Sequence, residues 1–286
     1  MDIAVLNLLN GISFGAVLFL LASGLSLILG VMGILNLAHG AIYMIGAYVG
    51  WSVAVQYELN YGLAVLAGGI AAGLIGLTIE RVFLRHLHGQ PLEQVLLTVG
   101  LVYVLTNISM WVWGARGKPP FIAPFLSGSF DIVGWSYPIA RIAIIAVGLI
   151  MAIGLWWLQD RSRVGAIVRA GMDDKELTGG LGINLKWFIT AVFMLGTFMA
   201  GFAGVIGAQL LGVSQALGWD VLLLAFAVIV IGGMGSIQGA LLGAMLIGLI
   251  DAFGKALFPD LALFTIYLVM IIILLIRPSG LMGKRI

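Results

Sequence analysis

An all-α, polytopic membrane protein of about eight to nine transmembrane helices is the fold class that this sequence predicts. Three observations predict it. Hydrophobic residues make up 62% of the 286 and charged residues only 9%, against about 25% charged in an ordinary soluble domain. The apolar residues come in runs long enough to cross a hydrocarbon core of about 30 Å, which takes about 20 residues per helix. Those runs are apolar on every side: 221–231 and 261–276 lack the polar/apolar alternation that a membrane β-barrel requires. Without water in the bilayer to satisfy backbone groups, helices are the spanning option that remains. The chain reads as one transmembrane domain over 1–286, with little left over for a soluble domain.

The hydrophobic stretches follow in order. Residues 5–30 open the chain and read as a retained helix, because no Lys or Arg precedes Arg81 and the basic start of a cleavable signal is missing. Stretches at 38–57, 62–84, 92–113, 138–158 and 187–211 are each bounded by Gly, Pro or charge. The stretch 221–231 is shorter than a full crossing; either it starts earlier, through Gln215 and Trp219, or it enters the bilayer only part way. Next comes 237–257, which carries Asp251 and Lys255, read as the only ionisable residues inside an apolar stretch. A charge at a helix centre costs about 2.5–3.5 kcal/mol on insertion scales. These two are spaced i, i+4 near the outer end, where they pair and reach the interface. They form no proton relay. The stretch 261–276 closes the series.

Two connections exceed turns. Residues 114–137 contain Pro119, Pro120, Pro124 and Trp135, and form either a plain external connector or a loop packed on the bundle or the interface. Residues 160–186 carry a candidate surface helix. Asp173 as N-cap and Glu176 three residues later resemble a capping box, Leu177 and Leu181 are spaced i, i+4, and Gly182 is a stop. It is either a docking helix or part of a solvated linker. Placing 160–186, the Arg81/Arg85 turn and the C-terminus in the cytoplasm puts ten of the fourteen Lys and Arg inside, leaving Arg116, Lys118, Arg141 and Lys255 outside.

Gly-x-x-x-Gly spacing at Gly11/Gly15, Gly46/Gly50, Gly69/Gly73 and Gly235/Gly239/Gly243 signals close helix packing in a chain of 41 glycines. Two breaks in the apolar pattern carry more information. One runs from Gly30 and Gly33 through Asn36 and His39 to Gly40; the other is Gly232-Gly233-Met234-Gly235-Ser236-Ile237-Gln238. Each is either a discontinuous helix lining an aqueous cavity, as transporters use, or a tight hairpin turn at the surface. They supply the candidate translocation residues Asn36, His39, Tyr43, Gly232, Gly233, Ser236 and Gln238.

Other chemistries find little support. Ser23 and His39 lack a third orienting group for hydrolysis, and His39 reads as a polar side chain bonded to nearby backbone. His86 and His88 lack carboxylate partners for a metal. No cysteine is present, no phosphate loop occurs, and no basic run tracks a nucleic acid. The expectation is therefore no catalytic residue, no metal and no cofactor, with membrane lipid as the surroundings.

The run Gly24-Leu25-Ser26-Leu27-Ile28-Leu29-Gly30-Val31-Met32-Gly33-Ile34-Leu35-Asn36-Leu37-Ala38-His39-Gly40 resembles the LivH-type permease of branched-chain amino acid ABC importers. So do Tyr43-Met44-Ile45-Gly46-Ala47-Tyr48, the Gly232 to Ala240 motif and the closing Arg277-Pro278-Ser279-Gly280-Leu281. The resemblance implies a multi-pass subunit of the bacterial inner membrane. Its implied partners are a second, LivM-like permease, two ATPase subunits that hydrolyse ATP, and a periplasmic substrate-binding protein. It also implies a coupling helix in the 160–186 loop, with Arg169, Asp173, Glu176, Leu177, Leu181, Gly182 and Ile183 meeting the ATPase. Glu176 and Gly182 keep the spacing of the broader Glu-Ala-Ala loop, although Leu177 and Thr178 replace its alanines. Many amino-acid members have a lysine where Leu224 stands, so urea, short amides or aromatic acids are alternative cargoes. A self-sufficient channel or secondary carrier is the alternative class.

Nine crossings with this charge bias place the N-terminus outside and the C-terminus inside. Reporters active on only one side of the membrane, fused to each end, are expected to give opposite signals; equal signals would refute the orientation.

Overall fold

The computed structural model describes residues 2–283 apart from 34, 88, 133, 134, 174–177, 179 and 181–183. Ten α-helices are described: α1 (Asp2–Met32), α2 (His39–Trp51), α3 (Tyr61–Val82), α4 (Pro91–Trp113), α5 (Ile139–Arg161), α6 (Arg163–Asp173), α7 (Leu185–Leu211), α8 (Leu217–Gly232), α9 (Ile237–Leu257) and α10 (Ala262–Ile276). Six are long and apolar enough to cross a membrane: α1, α3, α4, α5, α7 and α9. Helix α2 continues as a π-helical turn, Ser52–Gln56. Helix α8 begins at Leu217, so the short stretch of the sequence does start earlier than its apolar run. Its 16 residues span about 24 Å, still less than the hydrocarbon core.

Helices α1 and α7 form the centre. Their most apolar windows are 83% and 72% buried, against 22% for α4 and α5 at the periphery. Helix α2 packs against both α7 and α3, with every residue from His39 to Tyr48 buried. Close backbone approach makes this packing, since lipid supplies no hydrophobic force between helices. A methyl group at Gly24 would strike the Gly196 carbonyl, one at Gly46 would strike Gly201, and one at Gly11 would meet the Leu249 backbone. Gly232 and Gly239 face each other where α8 crosses α9. The Gly-x-x-x-Gly pairs thus sit at real crossings, except that Gly235 is a turn residue with φ +78°.

The helix ends follow from side-chain chemistry. Asn60 accepts from the Gly62 N–H at 2.7 Å to cap α3, and Ser236 accepts from Gly239 at 3.0 Å to cap α9. Ser162 serves two helices, bonding back to the Leu158 carbonyl and accepting from Gly165 N–H at 3.0 Å. It thereby ends α5 and starts α6. Within α9, Asp251 and Lys255 pair at 2.7 Å as their spacing predicts.

The 114–137 loop packs on the bundle. Lys118 and Val213 exchange backbone hydrogen bonds of 2.7 and 2.9 Å, Lys118 sits over the Trp51 ring, and Phe121 and Ala123 are buried. The loop ends in a small antiparallel hairpin, β1 (Ser129–Ile132) and β2 (Trp135–Pro138), with Ser129 opposite Pro138. Runs apolar on every side gave no sign of this hairpin.

Gly46→Val forces a side chain into the Gly201 backbone and should cost about 1–3 kcal/mol of stability. Gly100→Ala, on an open face of α4, should be neutral or slightly stabilising. Thermal unfolding of the two variants in detergent checks this, and equal midpoints would show that the α2–α7 crossing imposes no such limit.

Candidate translocation site and coupling surface

The two breaks in the apolar pattern resolve differently. At the first, α1 ends at Met32 and Gly33 turns with φ +69°, but α2 does not begin at that level. His39 Nε2 donates to the Leu21 carbonyl at 3.2 Å, eleven residues back along α1, which is about 16 Å of helix. Between Gly33 and His39 the chain therefore doubles back into the bundle before α2 starts. The N-terminal turn of α8 meets it there, with the Gly40 and Gly218 backbones in contact. The helical run is thus broken between α1 and α2, with Gly33 and Leu35 exposed and Asn36, Ala38 and His39 buried.

Here the structure gathers Asn36, His39 and Tyr43. All three are 0% exposed, and both Asn36 amide atoms, His39 Nδ1 and the Tyr43 hydroxyl have no hydrogen-bond partner among the described residues. His39 and Tyr43 share a face of α2 at i, i+4, and the Tyr43 hydroxyl lies against Gly207 of α7. Behind it, Gln209 Nε2 donates to the Tyr61 hydroxyl at 2.6 Å, and Tyr61 donates to the Val205 carbonyl at 3.3 Å. Tyr61 and Gln209 escaped sequence reasoning because each stands near a helix end and reads as interfacial. Ser23 donates to the Leu20 carbonyl at 3.0 Å, so both members of the imagined Ser/His pair bond to backbone.

The second break is a surface hairpin turn. Gly233 has φ +105°, Ser236 caps α9, Met234 is 65% exposed, and Gln238 opens onto an apolar groove with Phe19, Ile153 and Trp156. Gly232, Gly233, Ser236 and Gln238 therefore form a group separate from Asn36, His39 and Tyr43. What the turn does hold is the C-terminal segment. Leu281 and Met282 donate their N–H groups to the carbonyls of Ile231 and Gly232 at 2.8 and 2.9 Å. Two motifs nearly fifty residues apart thus form one unit, in which the tail satisfies the orphan carbonyls of α8.

In the 160–186 loop, Arg169 lies on α6 and turns back to the end of α5, bonding the Gln159 carbonyl and standing 3.7 Å from Asp160. Asp173 has helical backbone at the end of α6, so it is not the non-helical N-cap that the capping-box pattern predicts. Thr178 and Gly180, the described residues within the predicted segment, are helical. Glu176, Leu177, Leu181, Gly182 and Ile183 lie outside the described residues. Helix α7 resumes with Asn184 accepting from Trp187 N–H.

One expectation needs correcting: Asp251 and Lys255 are not the only ionisable groups inside. Glu80 on α3 is 1% exposed and accepts from the Thr190 hydroxyl at 2.6 Å. Beside Arg81 it reads as a loop charge, and only the packing of α3 on α7 buries it.

A charge-poor helical bundle with a discontinuous helix and a buried polar seam defines a membrane permease. The chain belongs to the family described as branched-chain amino acid transport system, permease component, whose pattern matches residues 7–274. It is 32% identical to the high-affinity branched-chain amino acid permease protein BraD of Pseudomonas aeruginosa, over 97% of this chain and 95% of that one. Identity to LivH of Salmonella typhimurium is 30%, again over 97% and 95%. The LivM permease protein of Escherichia coli is 25% identical over 92% of this chain and 67% of its own.

Asn36→Leu removes a buried amide that has no partner among the described residues, and should raise stability by about 1–3 kcal/mol while lowering transport. Thermal unfolding and uptake in the same preparation check this; a destabilised variant would show that the amide is satisfied by the fold.

Proposed function

We propose that this chain is the transmembrane permease subunit of an ATP-driven importer in the bacterial inner membrane, moving branched-chain amino acids delivered by a periplasmic binding protein. The observation that carries the reading is the family match over 7–274 together with nearly full-length similarity to BraD and LivH. A LivM-like second permease and two ATPase subunits complete the assembly, and similarity to LivM fits a pair of related permease chains. ATP hydrolysis belongs to the partner chains. Urea, short amides and aromatic acids are the competing cargoes, with Leu224 as the departure that raises them.

Asn36, His39 and Tyr43 are the path residues of this proposal. Polar groups deep in a membrane protein are costly, and ones without a partner inside the chain are retained for a ligand or water that moves past them. The ends of α2 and α8 meet beside them, so a small shift of either helix opens or closes the seam. The loop after α6 transmits the bias. Arg169 holds α6 to α5, while Glu176, Leu177, Leu181, Gly182 and Ile183 meet the ATPase, whose open and closed forms make different contacts.

The assembled system in vesicles should take up branched-chain amino acids only with ATP inside and binding protein outside. Glu176→Lys should leave assembly intact and reduce uptake per ATP hydrolysed at least tenfold. Uptake by this chain alone would identify a channel or secondary carrier instead, and unchanged coupling in Glu176→Lys would remove the loop from the mechanism.

A further inference from the structure

The geometry points to a binding site for a phosphate group, carried by an anionic lipid headgroup, at the end of α3 and the start of α7. A cavity of about 300 Å³ opens there, lined by Arg81, Arg85, Asn184, Lys186, Trp187 and Thr190. That volume lies at the lower end of small-molecule sites, roughly 300–1,000 Å³. Three of its six lining side chains are cations, and no acidic side chain lines it among the described residues.

One of these cations is held in place. Arg81 stacks over the Trp187 ring at 4.6 Å, a contact that fixes the guanidinium at the mouth rather than letting it extend into water. Arg81 and Arg85 are four residues apart, where α3 gives way to the short 3₁₀ turn Leu84–Leu87. The floor is Thr190, only 6% exposed, which is tied to the buried Glu80. Glu80 lies behind that hydroxyl and offsets part of the positive charge of the lining.

The lipid origin of the phosphate follows from the rim. Trp187 is 63% exposed, and Val82 and Phe83 beside Arg81 are 53% and 41% exposed. An aromatic ring and apolar side chains at the end of membrane-spanning helices mark the headgroup boundary. Basic pockets between helices at that boundary suit anionic headgroups, whose acyl chains then run along the helices. The site does not involve the Asn36 seam and does not depend on which cargo is moved.

Native mass spectrometry of the full-length chain in detergent, with phosphatidylglycerol, cardiolipin or phosphatidylcholine added, tests it. The wild type should retain the two anionic lipids and not phosphatidylcholine. The R81Q/R85Q/K186Q variant should bind them on the order of a hundredfold more weakly. R116Q, which removes one charge from the distant 114–137 loop, should bind as the wild type does. Failure of the wild type to prefer anionic lipid overturns the site without relying on any variant, as does equal retention by the triple variant. In a parallel thermal-shift series, stabilisation by inorganic phosphate equal to that by phosphatidylglycerol would overturn the lipid origin.

Discussion

Backbone-to-backbone contact among α1, α2 and α7 is the constraint on which everything else in this molecule depends. In lipid, apolar side chains gain nothing by leaving their surroundings, so helices associate by dispersion over closely matched surfaces. Gly24 against Gly196 and Gly46 against Gly201 bring three helices near enough for that. The short α2 survives inside the bundle because its neighbours approach so closely, and its early start beside Leu21 is what creates the seam of Asn36, His39 and Tyr43.

That seam goes against the rest of the composition. A chain with so few polar residues places an amide, an imidazole and a phenol in its least exposed region, where a polar group without a partner costs about 1–3 kcal/mol. The surrounding packing tolerates the cost. At the membrane boundary the same scarcity is resolved by local pairing: Asp251 with Lys255, Glu80 with Thr190, and Arg81 with Trp187. The interior groups differ: His39 bonds the Leu21 carbonyl through Nε2, while its Nδ1, the Asn36 amide and the Tyr43 hydroxyl find no partner among the described residues.

The two glycine-rich breaks show how alike motifs part in three dimensions. Each ends a helix at a glycine with positive φ, Gly33 or Gly233. After Gly233 four residues suffice to start α9, because Ser236 caps it at once, and the C-terminal tail closes over the turn. After Gly33 no such cap follows, and the chain must travel back to Leu21 before α2 forms. The difference lies in where each next helix finds its contacts, Gly239 on Gly232 in one case and Gly40 on Gly218 in the other.

By itself the sequence determined the membrane, the helical class, the helix-packing role of its glycines, the Asp251–Lys255 pair and the family. These rest on composition and on spacing within one helix, which are local quantities. Tertiary structure alone decided that Asn36, His39 and Tyr43 are buried, that the Tyr43 hydroxyl meets Gly207 near the Gln209–Tyr61 pair, that Gly232 and Gln238 stand apart from them, and that Glu80 is buried. It also decided that the Pro278–Leu281 tail seats on α8 and that Arg81, Arg85 and Lys186 surround one cavity. Each of these joins residues on different helices. In a bundle where nearly every face is apolar, periodicity does not tell a face that meets lipid from one that meets protein; only the fit of one backbone against another does.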